Sequence, residues 1–223
     1  MRISRAVTVL VLAVLITVAG CTKQVAGAAQ RDPVQPPVAL SDDGYGIVAG
    51  FDDAPVRIEI FTEPQCPHCA DLQVDFGDQL RYYIGIGQLK VTYRPMIFLD
   101  EVDDGHSARV SNALFLAADG GATGTQFQRF VEELWYAQEP GGPGPSDREM
   151  ADMARAAGMP DETVDRVASG GSAVNIPEMD LANFNYLYEI DPSGTGTPTV
   201  FDPATDEKLD IYDNDWLNKL IQS

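Results

Sequence analysis

Two cysteines in the motif Cys66-Pro67-His68-Cys69 are the residues of this chain best suited to covalent chemistry. A thiol exchanges with a disulfide only as the thiolate, so a redox cysteine needs groups that hold negative charge near neutral pH. Small or apolar residues follow Cys66 at helical spacing: Cys69, Leu72, Phe76, Leu80. A helix starting at Cys66 would supply partial positive charge, free N–H groups of His68 and Cys69, and the His68 ring. Cys69 would then be the resolving thiol.

The same two cysteines could instead bind zinc or form a passive disulfide. Zinc normally takes four ligands, and the two histidines of the chain are His68, inside the tight turn, and the distant His106. A passive disulfide across so short a loop would gain little entropy. We therefore expect no metal and no organic cofactor, only a redox-active disulfide between Cys66 and Cys69.

The third cysteine, Cys21, follows a segment typical of a secretory signal. Arg2 and Arg5 precede an apolar run over 6–19, and there is no acidic residue before Cys21. The alternative is a retained membrane anchor, but this run is shorter than the about 20 residues that span a bilayer. The end of the run, Val18-Ala19-Gly20-Cys21, resembles a bacterial lipobox, which implies cleavage after Gly20 and a lipid anchor on Cys21 at the extracytoplasmic face of the cell membrane.

The chain divides by composition into a signal peptide over 1–20, a flexible tether over 21–43 and a folded domain over 44–223. The tether is rich in Ala, Gln, Pro and Val and almost lacks aromatic residues. The whole chain carries a net charge of −19, which argues against binding nucleic acid. Because the acidic residues are scattered, they indicate solubility outside the cell rather than selection of basic clients.

The pattern of the domain predicts an α/β fold with a helical insertion, at about 103–175, between the second and third core strands. We expect strands over 56–61, 89–93, near 199–201 and around 208–212. Helices are expected after Cys66, across 106–170 with short helices near 146–157 and 161–168, then over 177–188 and 213–221. The expected helix start at His106 would leave that residue at the surface.

Two segments carry a resemblance to a known family: Pro64-Gln65-Cys66-Pro67-His68-Cys69 after a strand, and Gly194-Thr195-Gly196-Thr197-Pro198-Thr199 before another. With the order of elements, they resemble the DsbA/DsbG-type thioredoxin-like family over about 44–223. The resemblance implies a thioredoxin-like fold with Pro198 as a cis-proline beside the disulfide. It also implies that the Thr197 backbone pairs with an extended client peptide.

The chain departs from that family at the expected proton acceptor. Relatives often carry a buried acid six residues before the first cysteine, where this chain has Ile60. The adjacent Glu59 should point to the opposite side of the strand and is expected to be an acid at a strand edge or end. Glu63, in the loop before Cys66, could take over proton transfer to the second cysteine.

The predicted function is that of an extracytoplasmic thiol–disulfide oxidoreductase, most simply an oxidase that forms a mixed disulfide with its clients at Cys66. The expected partners are unfolded or reduced secreted proteins and a re-oxidising, or reducing, partner that the sequence does not identify. Two alternatives stay open: a disulfide isomerase or reductase, and a non-catalytic accessory lipoprotein of the same fold.

Overall fold

A mixed sheet forms the centre of the protein in the computed structural model, which describes residues 34–223. Its strands are β1 (Val38–Leu40), β2 (Ile47–Ala49), β3 (Val56–Thr62), β4 (Leu89–Pro95), β5 (Thr199–Asp202) and β6 (Glu207–Lys208). They lie side by side in the order β1-β2-β4-β3-β5-β6. β3 and β4 are parallel and the other neighbours are antiparallel. β3 is therefore a central strand, and its carboxyl end leads directly to the cysteine motif.

The helices follow the order that the sequence predicts. They are α1 (Pro67–Gly85), α2 (His106–Ala118), α3 (Gly124–Tyr136), α4 (Asp147–Ala156), α5 (Asp161–Ser169), α6 (Ile176–Ile190) and α7 (Trp216–Gln222). α1 connects the parallel strands β3 and β4, while α2 to α5 form the insertion between β4 and β5. The predicted α/β fold with a helical insertion between the second and third core strands is confirmed.

The two faces of β3 are buried by different helices. Ile58 and Ile60 belong to the main hydrophobic core together with Phe76 of α1. Phe61 faces the other way and packs in a smaller cluster with Leu187 of α6. Alternation of side chains along the strand produces this division, and it separates the surroundings of consecutive residues at the end of β3.

The N-terminal boundary of the domain differs from the prediction. Residues 38–40, assigned to the flexible tether over 21–43, form β1, and Asp43 pairs with Arg94 of β4 at 2.5 Å. Upstream of β1, the Pro36 carbonyl accepts a hydrogen bond of 2.7 Å from Gly124 at the start of α3. Amino-acid composition did not reveal this strand, because backbone pairing with β2, and not the burial of its side chains, holds it in place. The predicted signal peptide and Cys21 lie outside the described residues.

The C-terminal elements are shorter than expected. The predicted strand over 208–212 is limited to Glu207–Lys208. Beyond it, the Asp210 carboxylate accepts a hydrogen bond from the Tyr212 backbone N–H at 3.2 Å, and Asp213 accepts one from Asp215 at 3.1 Å. Such side-chain to backbone turns compete with strand and helix, so α7 begins at Trp216 rather than at 213.

Candidate active site

The cysteine motif lies where β3 ends and α1 begins. Cys66 is the N-cap residue of α1 with extended backbone angles, and Pro67 occupies the first helical turn, where its missing N–H costs nothing. Cys66 is 8% exposed, whereas Cys69, one turn into the helix, is 1% exposed. Of the two thiols, Cys66 is therefore the one that a second molecule can reach.

The surroundings of Cys66 favour its thiolate. A hydrogen bond from the Cys69 thiol, together with the backbone N–H groups of Cys69 and His68, lowers the pKa of Cys66 to about 5 against the opposing effect of burial. The N-terminal end of α1 adds partial positive charge at the same place. The predicted stabilisation of Cys66 by a helix N-terminus therefore has its counterpart in the structure.

Cys69 is in the opposite situation. Burial is the main cause that raises its pKa well above the ordinary value, and the neighbouring Cys66 sulfur adds to the effect. The Glu63 backbone N–H lies 3.5 Å from the Cys69 sulfur and donates to it. The pair thus holds one thiolate and one protonated thiol near neutral pH, and the two groups titrate together.

The His68 ring is placed differently from the prediction. Its side chain is 68% exposed, and its Nδ1 atom lies 3.4 Å from the Asp71 carboxylate. The contribution of His68 to the Cys66 thiolate comes from its backbone N–H. The predicted donation from the ring to the Cys66 sulfur is replaced by this contact with Asp71, since the second residue of the helix directs its side chain outward along the surface.

Glu63 is a buried carboxyl group in the turn beside both thiols. The residue has 0% exposure. Burial raises its pKa to about 7, although hydrogen bonds from the Ser107 hydroxyl and from the Gln65 backbone N–H, at 2.6 Å, favour the ionised form. Of the two acids that the sequence offered for proton transfer, Glu63 lies in the cysteine turn, where its backbone N–H donates to the Cys69 sulfur and the nearby Cys66 adds to the raised pKa of its carboxyl group.

Glu59 lies on the other side of the sheet. Its carboxylate accepts hydrogen bonds from Arg94, at 2.7 Å, and from the Tyr186 hydroxyl, at 3.3 Å. The predicted orientation away from the cysteines is confirmed, but the expected position at a strand edge or end is wrong. Glu59 pairs with Thr92 on one side and Phe201 on the other, in the middle of a central strand. Its charge is tolerated there because Arg94 neutralises it.

The loop before β5 closes the site. The peptide bond between Thr197 and Pro198 is cis, as predicted. The Thr197 carbonyl oxygen lies 3.3 Å from the Cys66 sulfur and accepts a hydrogen bond from it when Cys66 is protonated. Since that carbonyl lies beside the reachable sulfur, a polypeptide approaching Cys66 would meet the Thr197 backbone.

His106 begins α2 as predicted, but it is buried instead of exposed, with 6% of its surface accessible. The loop after α3 covers it: a Cβ atom added at Gly144 would lie 2.5 Å from the ring. Burial lowers the pKa of His106. The prediction that His106 lies at the surface is wrong. The loop that covers it lies more than 30 residues downstream, and no local sequence pattern indicates where that loop packs.

The contacts of several polar residues at the site could not be predicted from the sequence. Gln138 donates from its side chain to the carbonyls of Pro64, at 2.7 Å, and Cys66, at 3.0 Å. Gln65 donates to Asp100 at 2.9 Å and to Ser107 at 3.1 Å. Each partner lies 35 to 74 residues away along the chain. Such pairs have no periodicity or motif spacing by which the sequence could reveal them.

A strand, a turn with two cysteines, a helix and an opposing cis-proline define an α/β protein of the thioredoxin-like class. The chain belongs to the thioredoxin family, whose model matches residues 42–202. Its fold is similar to that of MdbA, a thiol-disulfide oxidoreductase from Corynebacterium matruchotii, with a TM-score of 0.69 and 23% identity over 84% of this chain and 92% of that one.

Two further similarities involve proteins of Mycobacterium tuberculosis. DsbA from Mycobacterium tuberculosis superposes with a TM-score of 0.58 at 19% identity, covering 85% of this chain and 91% of the other. The resemblance to DsbA-type proteins is thus confirmed at the level of the fold. The serine/threonine-protein kinase PknE of Mycobacterium tuberculosis is 28% identical in an alignment of 191 positions that covers 79% of this chain and 31% of PknE. The chain therefore spans about a third of the length of this relative.

Proposed function

We propose that the protein is a thiol–disulfide oxidoreductase that oxidises reduced client proteins outside the cytoplasm. The observation that carries this proposal is the opposite state of the two thiols, with a reachable Cys66 whose pKa is lowered to about 5 and a buried Cys69 whose pKa is raised. A stabilised thiolate stabilises the reduced form of the pair. Such a pair is a strong electron acceptor, because stabilising the reduced form makes reduction of the disulfide more favourable.

The reaction runs through two exchanges. A client thiolate attacks the Cys66 sulfur of the Cys66–Cys69 disulfide, the bond between the two protein sulfurs breaks, and Cys69 leaves and takes up a proton. A second client thiolate then attacks the client sulfur of the mixed disulfide and releases Cys66 as a thiolate. The client loses two electrons and gains a disulfide, while the protein becomes a dithiol. A separate electron acceptor, a partner of unknown identity, must re-oxidise it.

Glu63 is the residue that we assign to the proton of Cys69. It is buried in the same turn, and burial raises its pKa to about 7, which suits a group that gains and loses a proton near neutral pH. In the direction of client oxidation it donates to the leaving Cys69 sulfur. In the reverse direction it accepts the proton when Cys69 attacks.

The surface beside the site suits unfolded clients. The loop after β4 exposes Phe98 by 46% and Leu99 by 43%, and this loop is tied to the cysteine turn through the Asp100–Gln65 hydrogen bond. Unfolded chains expose apolar side chains that a folded protein buries, so apolar contacts beside the thiol select them. The Thr197 backbone would add pairing with an extended client segment next to Cys66.

We also propose that a lipid on Cys21 holds the protein at the extracytoplasmic face of the membrane. Residues 34–223 contain no helix long and apolar enough to cross a membrane. The support for the anchor is the lipobox-like sequence before Cys21. Mass spectrometry of the mature protein tests it: an acylated Cys21 at the N-terminus is expected, and an unmodified or internal Cys21 would contradict it.

The function itself is tested by trapping clients. Cys69→Ala leaves Cys66 free to attack but removes the thiol that resolves the mixed disulfide, so clients should accumulate on this variant. Cys66→Ala, the matched control, should trap none because Cys69 is buried. Non-reducing gels of envelope extracts show the adducts. Equal trapping by both variants, or by neither, would contradict the assignment.

A further inference from the structure

The carboxyl group of Glu63 is held by residues from outside the cysteine motif. The hydroxyl of Ser107, the second residue of α2, donates to Oε1 of Glu63, while the Gln65 backbone N–H donates to Oε2. The Gln65 side-chain amide then donates to the Ser107 hydroxyl at 3.1 Å. Ser107 has 0% exposure, so this hydroxyl serves the carboxyl group and not the solvent.

Asp100 fixes the position of Ser107. Its two carboxylate oxygens accept hydrogen bonds from the backbone N–H groups of Ser107 and Ala108, each at 2.8 Å, and so cap the first turn of α2 from outside the helix. A Cβ atom at Gly105 would lie 2.5 Å from this carboxylate, so only glycine at this position leaves room for Asp100 at the start of α2. Asp100 also accepts from the Gln65 side chain at 2.9 Å. The start of the helical insertion is thus joined to the cysteine turn.

We propose that Ser107 and Asp100 are positioning residues for the Glu63 carboxyl group and hold it in the orientation in which it exchanges a proton with Cys69. This inference rests on the proposed function and deepens it. The helical insertion would then have a role in the reaction, because Ser107 in the first turn of α2 would control the protonation of Glu63 in the thioredoxin-like core. The proton moves between Glu63 and the Cys69 sulfur, and no further reactant takes part.

The charges around Glu63 determine the sign of the effect. Cys66, the N-cap of α1, and Asp100 of the loop after β4 both raise the pKa of Glu63, whereas the Ser107 hydroxyl and the Gln65 backbone N–H lower it. The Cys69 sulfur lies against the Glu63 backbone. On α2, His106 and Arg109 are the nearby titratable groups, and both face the loop over 139–145. Without the Ser107 hydroxyl, burial and the negative charges of Cys66 and Asp100 would still oppose the ionisation of Glu63, so the pKa of Glu63 should rise.

The test compares two serines on one helix. Ser107→Ala removes the donor to Glu63, and Ser111→Ala is the matched control because Ser111 is also fully buried and its hydroxyl has no partner within residues 34–223. Reduced protein is mixed with excess oxidised glutathione, and the first-order closure of the Cys66–Cys69 disulfide is followed against pH. Carbon-13 NMR titration of the Glu63 carboxyl, identified with Glu63→Gln, gives an independent reading that does not require turnover.

In the wild type and in Ser111→Ala, closure should accelerate with a midpoint at about pH 7, where Glu63 becomes a base. In Ser107→Ala the midpoint should move to about pH 8, and closure at pH 7 should slow about fivefold. Ser107→Thr keeps the hydroxyl and should restore the wild-type profile.

Three results would overturn the proposal. The first is a Ser107→Ala profile equal to that of Ser111→Ala, and the second is a Ser107→Thr profile that stays shifted. The third is a Glu63 titration that moves without moving the rate of closure, since Glu63 then does not serve Cys69. Failure of the wild type to form any disulfide with glutathione would instead refute the proposed function, while the NMR titration would still decide whether Ser107 positions Glu63.

Discussion

Cys66 and Cys69 are chemically identical side chains three positions apart, and their opposite protonation follows from where α1 begins. The N-cap position exposes the Cys66 sulfur to free backbone N–H groups, whereas Cys69, one turn further along the helix, is 1% exposed against 8% for Cys66. The hydrogen bond from the Cys69 thiol to Cys66 then stabilises the thiolate of one and the thiol of the other. At the scale of single residues, backbone geometry accounts for more of the chemistry than side-chain identity does.

His68→Ala should change the pKa of Cys66 only slightly. The ring contacts Asp71, and the backbone N–H that supports Cys66 is retained in the variant. The pKa of Cys66 should therefore remain close to that of the wild type, and the reduction potential should change by less than about 15 mV. Thiolate ultraviolet absorbance against pH and equilibration with glutathione measure the two quantities. A Cys66 pKa that is strongly raised in His68→Ala would show that the His68 ring, and not the backbone, stabilises the thiolate.

At the scale of elements, the segment before β2 ties the sheet to the insertion. β1 pairs with β2, the Pro36 carbonyl bonds to the start of α3, and Asp43 neutralises Arg94 together with Glu59. Arg94 is 93% buried, so a lost partner leaves part of its charge uncompensated. The segment over 35–43 is thus a structural part of the domain.

Two truncations test this conclusion. A protein beginning at Gly44 should be less stable than one beginning at Gln35 by about 2–4 kcal/mol, since it lacks β1 and the Asp43–Arg94 pair. Urea unfolding followed by circular dichroism measures the difference. Asp43→Ala in the longer protein separates the ion pair from the strand. Equal unfolding midpoints for the two truncations would restore the interpretation of residues 35–43 as a tether.

The sequence predicts the elements whose signal is local. The helix after Cys66 and the insertion could be expected because they depend on local spacing and on the order of elements, whereas the cis form of Pro198 was implied by the family resemblance. Ser107 lies 44 residues from Glu63, and their contact exists only after the insertion has packed against the cysteine turn. The burial of His106 likewise depends on a loop that folds back over it. Tertiary packing, which has no local pattern, decides these features.

At the scale of the whole molecule, the shifted pKa values of Cys66 and Glu63 make stability depend on pH. Cys66 has a lowered pKa, so its contribution to the stability of the reduced protein grows as the pH rises from about 5 to the ordinary thiol value of 9.0. Glu63 has a raised pKa, so its contribution is lost as the pH rises from 4.5 to about 7. The two effects oppose each other below pH 7, and only that of Cys66 continues to grow above it.

The free energy of unfolding of the reduced protein should therefore rise, relative to Cys66→Ser, by about 2 kcal/mol between pH 7 and pH 9. Denaturant unfolding with a phosphine reductant present measures it at each pH. The oxidised protein, which has no thiolate at Cys66, is a second control and should match the flat profile of the variant. A parallel pH dependence in reduced wild type and Cys66→Ser would show that the thiolate is not stabilised by the fold.

The central claim is that this thiol pair transfers its disulfide to unfolded proteins. The most direct measurement is the oxidation of a reduced, unfolded secreted protein of known disulfides by stoichiometric oxidised protein, followed by mass spectrometry of alkylated client thiols. The account predicts that the client loses two thiols for each Cys66–Cys69 disulfide consumed, and that Cys66→Ser transfers none. Client thiols that persist beside the oxidised wild-type protein, with its disulfide intact, would contradict it.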